Sequence, residues 1–252
     1  MTVWLLARRT LVQLPRNPWV IGFSVAPVLM MFLVFGGLFE NVKQLPGFPT
    51  DNYFEYLAPT AVLMTTVPGI ANAAVGLATD LQSRYLHKLL TMPVPIGAIM
   101  AARLLADGAR LFVQGGAMLV LALLLGAEVA GGVAGALLML FIATLFGIVT
   151  FGVLTANLAL RKKDPAIVQA IFPFAFLLIF LTTAYQTQEQ IPSELLRTLI
   201  DLNPTEHVLQ AMRELMLTGF DWSEIGLAFL IILALALVGL PLTVRNYRSV
   251  YG

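Results

Sequence analysis

The ionisable residues that could do chemistry in this chain are few, and only one group has a spacing that suggests a shared role. Arg103, Asp107 and Arg110 recur at i, i+4 and i+7, so they fall on one helix face and can form ion pairs. Charges near the end of a membrane helix usually pair or extend to the headgroups, which is the interpretation we prefer. An ion-translocation site is the alternative.

Several classes of enzyme are excluded because the chain lacks the sequence motifs that they require. A phosphate-binding loop needs Gly-Lys followed by Ser or Thr, and no Lys follows a Gly here. The two His residues, His87 and His207, flank apolar spans, which excludes an intramembrane Ser–His protease and a paired-His metalloprotease. Cys is absent, and no basic stripe is interleaved with aromatic residues. We therefore expect no enzyme activity, metal, cofactor or nucleic-acid partner for this chain.

The composition indicates an integral membrane protein. Hydrophobic residues make up 59% of the chain and charged residues 12%, whereas about 25% of the residues in soluble domains are charged. The apolar runs are continuous rather than alternating, which indicates helices and excludes a closed barrel. We predict one all-α transmembrane domain over residues 1–252, with six spans of about 20 residues each. These spans are expected near 19–39, 57–79, 104–126, 132–159, 165–186 and 224–244.

Charge is sorted between the seven segments that flank the spans. Alternate segments face the same side of a membrane, and the odd-numbered ones hold 12 of the 15 basic residues. The even-numbered segments hold 11 of the 14 acidic residues. Because basic residues concentrate on the cytoplasmic side, the pattern predicts a plasma-membrane protein with both termini in the cytoplasm.

Two segments on the predicted cytoplasmic side have helical patterns of their own. Residues 1–18 are amphipathic and basic, which predicts a helix lying in the membrane interface against lipid headgroups, with a plain topology anchor as the alternative. In residues 80–93, Asp80 can cap a short helix that Met92-Pro93 ends. This segment is longer than a simple connection requires, so we predict a docking surface.

The acidic segment 187–223 is predicted to hold two amphipathic helices before the last span. The first begins after Ser193, and the second is capped by Asn203. These helices could dip into the outer leaflet or roof a cavity, and a simple solvated cap is the alternative. We expect the segment to form an outer helical cap.

Two local patterns in the flanking segments resemble a known family. The first is an acidic residue after the second span and a Leu-rich helix ending in Pro, from Asp80 to Pro93. The second is Asn203-Pro204 followed by Arg213, ten residues after the Asn and just before the last span. With the six-span layout, these patterns resemble the membrane subunits of type-2 ABC exporters, especially the daunorubicin-resistance-like drug-export permeases. The chain departs from the family at Arg84, where the family often has Gly.

The resemblance implies partners and contact residues. Segment 80–93 would be the coupling helix, which seats in a cleft of a cytoplasmic ATPase. The residues expected at this ATPase contact are Asp80, Arg84, Tyr85, Leu86, His87, Lys88, Leu89 and Leu90. The residues expected in outer re-entrant helices are Asn203, Pro204 and Arg213. Two permease chains, expected to be a homodimer, would assemble with two separately encoded ATPase chains that bind ATP and Mg²⁺.

The function implied is ATP-driven export, with drug efflux and antibiotic resistance as the biological context. We expect a hydrophobic or amphiphilic substrate, drug or lipid-like, that leaves the cytoplasm or the inner leaflet, because the presumed path lacks fixed charge. Candidate path residues are Asn72, Gln114, Thr150 and Phe172. A polysaccharide or glycolipid exporter of the same superfamily is one alternative, and a membrane scaffold without transport activity is another.

The docking surface leads to a test by substitution. We expect Leu89→Asp to leave the chain in the membrane and to abolish co-purification of an ATPase, because a carboxylate would replace an apolar contact in the ATPase cleft. The measurement is the ATPase retained by a tagged chain, normalised to the amount of membrane-extracted chain. Unchanged retention would refute the assignment of segment 80–93.

Overall fold

The computed structural model describes residues 18–45, 47–82, 96–170 and 172–251, and these ranges are helical with no strand. Most of the predicted interfacial helix 1–18 and of the predicted coupling segment 80–93 lies outside the described residues. The helices are α1 (Pro18–Leu38), α2 (Tyr53–Gln82), α3 (Ile96–Leu124), α4 (Gly132–Gly147), α5 (Val153–Lys162), α6 (Pro165–Gln169), α7 (Phe172–Phe180), α8 (Glu194–Asp201), α9 (Pro204–Leu217) and α10 (Trp222–Tyr251).

Three helical stretches among the described residues are long and apolar enough to cross a membrane. They are Ala101–Leu124, Gly132–Lys162 and Trp222–Asn246, and they overlap the predicted third, fourth and sixth spans. Shorter apolar stretches, Val25–Leu38 and Pro165–Phe180, fall in the predicted first and fifth spans. The all-helical membrane fold is therefore confirmed, and the number of six spans stays a prediction.

Helix α2 lies at the centre of the bundle and packs against α1, α3, α4, α5, α6, α7 and α9. Every side chain from Leu57 to Val67 is buried, so this helix has no solvent-facing or lipid-facing side there. A helix that is apolar on all sides belongs in a core. It remains continuous through Pro59 and Pro68, because neighbouring helices cover the backbone groups that each proline leaves unpaired.

The contact between α2 and α4 depends on a glycine. A Cβ atom at Gly147 would lie 2.9 Å from the Cβ of Thr66, closer than two side chains can pack. Small residues of this kind allow two membrane helices to approach closely. Gly147 is also the last residue of α4, and a π-helical turn, Ile148–Gly152, joins α4 to α5. Such turns insert an extra residue into a helix and are frequent at functional sites.

The helices α8 and α9 lie at the end of the bundle where α2 begins and α3 ends, which we call the capped end. There the backbone N–H of Ala130 donates to the Met216 carbonyl at 2.8 Å, and Asn52 Nδ2 donates to the Gly126 carbonyl at 2.7 Å. The end at which α2 finishes and α3 begins is called the opposite end. Both helices of the predicted segment 187–223 are present, with α9 bonded to the loop between α3 and α4 and α8 packed against α9.

The two helices of the capped end are buried to different extents. The apolar face predicted for α9 is fully buried, with Val208, Leu209 and Met212 at 0% exposure. In α8, by contrast, Leu195 is 70% exposed and Ile200 is buried. Helix α9 is thus part of the core rather than a lid on it, whereas α8 lies at the surface.

The orientation in the membrane can be tested with single cysteines, because the natural chain has none. We expect a membrane-impermeant maleimide to label Glu194→Cys at the capped end in intact cells. Lys162→Cys, at the end of α5, should react only after the membrane is permeabilised. Both positions are exposed, so a difference in labelling reports sidedness rather than burial. The reverse pattern would contradict the positive-inside assignment.

Candidate functional site

The capped end contains an irregular segment, residues 181–186, that follows α7. Three of its backbone carbonyls accept hydrogen bonds from hydroxyl groups of α2. The pairs are Tyr53 Oη to Tyr185 O at 2.6 Å, Tyr56 Oη to Thr183 O at 2.8 Å, and Thr60 Oγ1 to Ala184 O at 3.4 Å. Because the donors are spaced i, i+3 and i+7, a single face of α2 presents all three. The predicted fifth span reached residue 186, but helix α7 ends at Phe180 because side chains replace its backbone partners from there on.

Helix α9 binds the same segment through Glu206, Gln210 and Arg213, which also share one helix face. Glu206 accepts hydrogen bonds from the backbone N–H of Thr183 at 2.7 Å and from its hydroxyl at 2.6 Å. The Thr183 hydroxyl accepts from Gln210 Nε2 at 3.2 Å and from Arg213 Nη1 at 2.9 Å. One donated and two accepted bonds use the whole capacity of a hydroxyl.

The charges in this network are almost completely buried. Glu206 is 4% and Arg213 is 5% exposed, and Thr183 hydrogen-bonds to both of them. Arg213 Nη2 also donates to the Thr183 carbonyl at 2.9 Å, and its guanidinium carbon lies 4.1 Å from the ring centroid of Tyr56. Burying a carboxylate and a guanidinium is costly unless each is paired and hydrogen-bonded. Both charged groups have hydrogen-bond partners here, although Arg213 Nε has none among the described residues, and these bonds hold segment 181–186 in one conformation.

Asn203 joins the end of α7 to the start of α9. Its Nδ2 donates to the carbonyls of Leu178 and Leu181 at 2.7 and 2.6 Å, and its Oδ1 accepts from the backbone N–H of Thr205 at 3.0 Å. A helix end leaves backbone carbonyls unpaired, and a helix start leaves N–H groups unpaired. One side chain satisfies groups of both kinds, and Pro204 then occupies the first position of α9, where no N–H is needed.

Two residues of the predicted Asn-Pro…Arg motif bind the same stretch of chain. Asn203 and Arg213 both donate hydrogen bonds to residues between 178 and 183. Their place in re-entrant helices stays a prediction. Sequence reasoning missed Tyr56, Thr183 and Glu206. The signal that could have identified Glu206 is its spacing of four and seven residues from Gln210 and Arg213, which puts all three on one helix face.

The opposite end holds the other charged cluster. Arg103 Nε lies 3.9 Å from Asp107 Oδ2, so these two residues form the ion pair that their spacing predicts. Arg110 lies deeper than the predicted span boundary near residue 104 implies. It occupies the midpoint of α3, because that helix runs from Ile96 to Leu124. Its Nε atom is buried without a hydrogen bond among the described residues.

A cavity of about 50 Å³ lies beside the Arg103–Asp107 pair, between α2, α3, α5, α10 and the π turn. Its walls are mostly apolar, with Asp107, Arg103, Thr155 and Thr243 as the polar exceptions. Two residues of the π turn, Ile148 and Gly152, form part of the wall.

The four candidate path residues are distributed over three helices and the π turn. Gln114 is 0% exposed, and neither its Nε2 nor its Oε1 has a hydrogen-bond partner within the described ranges. Thr150 lies in the π turn, and its Oγ1 is likewise buried and without a described partner. Asn72 lies on α2 and Phe172 begins α7, but their side chains are outside the described part of the chain. Their role in substrate passage stays a prediction.

The predicted ATPase-contact residues are not covered by the structure. Asp80 lies near the end of α2, and its side chain is outside the described part. The other seven lie outside the described residues altogether, namely Arg84, Tyr85, Leu86, His87, Lys88, Leu89 and Leu90.

Comparison with known proteins decides the family. The family model described as "ABC-2 type transporter" matches residues 1–217. This chain belongs to the ABC-2 type transporter family. It is 25% identical to the daunorubicin resistance ABC transporter permease protein DrrB1 of Streptomyces coeruleorubidus over 222 residues, which is 88% of this chain and 76% of that protein. It is also 23% identical to the putative transport permease ycf38 of Cyanophora paradoxa over 263 residues, covering 99% of this chain and 90% of the relative.

Membership of the ABC-2 family confirms the resemblance found in the sequence, and it gives the general role of this chain. The chain is a multi-pass membrane subunit of an ABC transporter. The family implies a partner ATP-binding subunit, and permease subunits are generally not catalytic themselves.

The Glu206 network of this ABC-2 permease leads to a stability test. We expect Glu206→Gln to lower the free energy of unfolding by about 1–3 kcal/mol, because the amide NH₂ would face a Thr183 donor and leave it unpaired. The measurement is equilibrium unfolding of the purified chain in detergent.

Glu214→Gln is the matched control, because Glu214 lies on the same helix but is half-buried and bonds to the Thr218 hydroxyl. We expect this variant to change the free energy of unfolding by less than about 0.5 kcal/mol. Equal losses in the two variants would contradict a special role for the buried network.

Proposed function

We propose that this chain is the permease half of an exporter that moves hydrophobic or amphiphilic compounds, drugs or lipid-like molecules, out of the cytoplasm or the inner leaflet. Two separate ATPase chains, which bind ATP and Mg²⁺, supply the energy, and a second copy of this chain completes the pathway. The protein lies in the plasma membrane with both termini in the cytoplasm. Membership of the ABC-2 family and similarity to a daunorubicin resistance permease support this proposal.

The observation that carries the proposal is how few charged residues the described candidate spans hold away from their ends. In the described candidate spans, Asp107 and Arg110 are the only ionisable residues more than three positions from an end, and the buried polar residue next along α3 is the uncharged Gln114. Proton-coupled carriers usually place ionisable groups near the midplane. Spans with so few such groups suit an uncharged or amphiphilic substrate and an energy source outside the membrane.

Helix α2 is the element that could carry ATPase movement to the release side. Its 30 residues correspond to about 45 Å, enough to reach from one membrane surface to the other. Its first residues, Tyr53, Tyr56 and Thr60, hold segment 181–186 at the capped end. Its last three residues, which end at Gln82, already belong to the predicted coupling segment 80–93.

This geometry favours a release step in which ATPase movement shifts α2 along its axis. A shift of a few ångströms would break hydroxyl–carbonyl bonds of 2.6 to 3.4 Å, because such bonds weaken steeply beyond that range. Segment 181–186 would then be free to rearrange, which opens the capped end. The network of Glu206, Thr183 and Arg213 would restore the closed state.

Transport can be tested in inside-out membrane vesicles that contain this chain and its ATP-binding subunit. We expect ATP-dependent accumulation of an amphiphilic dye such as Hoechst 33342, because export from the cytoplasm is uptake into an inverted vesicle. Vesicles with a hydrolysis-deficient ATPase are the matched control. Accumulation that is equal with and without hydrolysis would overturn the export proposal, and a tagged chain that retains no ATPase would favour the scaffold alternative.

A further inference from the structure

The cavity at the opposite end is lined by polar residues from three helices. Arg103 and Asp107 belong to α3, Thr155 to α5 and Thr243 to α10, and the other described residues of its wall are apolar. A mostly apolar cavity in which a few polar groups converge is the usual form of a ligand site. The proposed release step uses none of these four residues, so their convergence calls for a separate explanation.

The Arg103–Asp107 pair is open enough to bind a third group. Arg103 Nε lies 3.9 Å from Asp107 Oδ2, whereas a direct hydrogen bond between such charged groups spans about 2.7–2.9 Å. Both side chains remain partly exposed, although helices surround the cavity that they line. The pair therefore presents a cation and an anion side by side, which matches a ligand that carries one charge of each sign.

The two threonines of the wall can only accept hydrogen bonds from a ligand. Thr155 Oγ1 donates to the Gly152 carbonyl at 3.3 Å, and Thr243 Oγ1 donates to the Gly239 carbonyl at 3.0 Å. A hydroxyl has one proton, so any further bond that it makes must be one that it accepts. Together with the carboxylate of Asp107, the wall therefore presents hydrogen-bond acceptors from three helices.

Thr243 is held in place by two asparagines that are almost fully buried. Asn157 Nδ2 donates to Thr243 Oγ1 at 3.0 Å, and Asn157 Oδ1 accepts from Asn246 Nδ2 at 2.5 Å. Helices α5 and α10 also approach closely here, because a Cβ atom at Gly239 would lie 2.6 Å from Val153 Cγ1. These contacts fix the position of Thr243 before a ligand arrives, which lowers the cost of ordering the site.

The chemistry of the wall specifies a primary ammonium beside an anionic group. A primary ammonium has three N–H donors and accepts nothing, so it suits a wall of carboxylate and hydroxyl acceptors. An anionic oxygen next to it can accept from the guanidinium of Arg103. The volume of about 50 Å³ has room for about three or four water molecules, at about 10–15 Å³ for each. The cavity therefore suits the charged tip of an amphiphile, with its apolar residues against the adjoining hydrocarbon.

We propose that this cavity binds the zwitterionic headgroup of an amphiphile, one with a primary ammonium beside an anionic group, as in an ethanolamine phospholipid. Asp107 and the two threonines accept hydrogen bonds from the ammonium, and Arg103 donates to the anionic oxygen. The inference names a substrate class for the proposed export function and rests on it, because the opposite end lies on the predicted cytoplasmic side, from which export begins.

The first test uses the unaltered chain, purified in dodecyl maltoside, and four probes that share one lauroylglycerol body. Lysophosphatidylethanolamine has the expected headgroup, and lysophosphatidylcholine is zwitterionic without N–H donors. Lysophosphatidic acid is anionic, and monolauroylglycerol is uncharged. We expect lysophosphatidylethanolamine to bind about tenfold or more tightly than each of the others, because only it can form charge-assisted hydrogen bonds with both members of the ion pair. Binding is read from the dependence of the unfolding midpoint on the mole fraction of probe in the micelle. Equal binding of the ethanolamine and choline probes, or tighter binding of lysophosphatidic acid, would overturn the inference.

The second test assigns the two charges of the headgroup to their partners. We expect Asp107→Asn to weaken binding of lysophosphatidylethanolamine about tenfold and not to weaken lysophosphatidic acid, because the carboxylate attracts the ammonium but repels the phosphate. Arg103→Gln should weaken both phosphate-bearing probes and leave monolauroylglycerol unchanged. Asp51→Asn is the matched control, since Asp51 is exposed and lies before α2 at the capped end. Equal losses for all probes in Asp107→Asn would show that its role is structural and would overturn the inference.

A third probe arm separates a lipid-like ligand from a free zwitterion. Phosphoethanolamine, which has the same headgroup without a hydrocarbon chain, should leave the unfolding midpoint unchanged at about 1 mM, because it forgoes the apolar contacts of the wall. A shift equal to that from lysophosphatidylethanolamine would contradict an amphiphilic ligand.

The outcomes also separate this inference from the proposed function, because none of these measurements uses ATP or an ATPase. Headgroup selectivity in a protein without ATP-dependent dye transport would contradict the export proposal and leave the site in place. Dye transport by a protein without headgroup selectivity would contradict the site alone.

Discussion

The chain leaves the helix at residues 181–186 while Thr182, Thr183 and Ala184 are still buried among other helices, and the contacts of the capped end follow from that burial. A buried backbone carbonyl or N–H must find a partner, and in a membrane protein water is not there to supply it. Hydroxyl groups of α2 and the polar face of α9 provide the partners. The burial of Glu206 and Arg213 follows from the same requirement, because each bonds to Thr183.

The same requirement gives α2 its central position. It carries the hydroxyl donors at its first turns, so it must touch the 181–186 segment, and its apolar residues must contact nearly every other long helix. A helix held on all sides transmits displacement along its axis rather than bending away from it. This is why a movement applied near Gln82 and a rearrangement at Thr183 belong to one mechanism in the proposed export cycle.

The two polar regions of the bundle differ in how many hydrogen bonds their central side chains make. At the capped end the hydroxyl of Thr183 uses its full hydrogen-bonding capacity, which favours one conformation. Along α3, Gln114 is equally buried and has no described partner. A hydroxyl that makes all its bonds adds rigidity, whereas an unpaired buried group lowers stability. The capped end also has such an atom, Arg213 Nε, which has no partner among the described residues.

The sequence by itself determined the all-helical membrane class, the positions of the three apolar spans, and the helix starts after Ser193 and Asn203. Those features follow from apolar runs, charge sorting and capping residues, which act within a few residues of one another. The sequence also indicated Asn203 and Arg213, although not what they bind. Only the tertiary structure decided that Tyr56, Thr183 and Glu206 meet, that α7 ends at Phe180, and that Gln114 has no partner among the described residues. These features depend on contacts between residues more than 20 positions apart in the chain. A local sequence pattern does not indicate which distant hydroxyl will donate a hydrogen bond to which carbonyl.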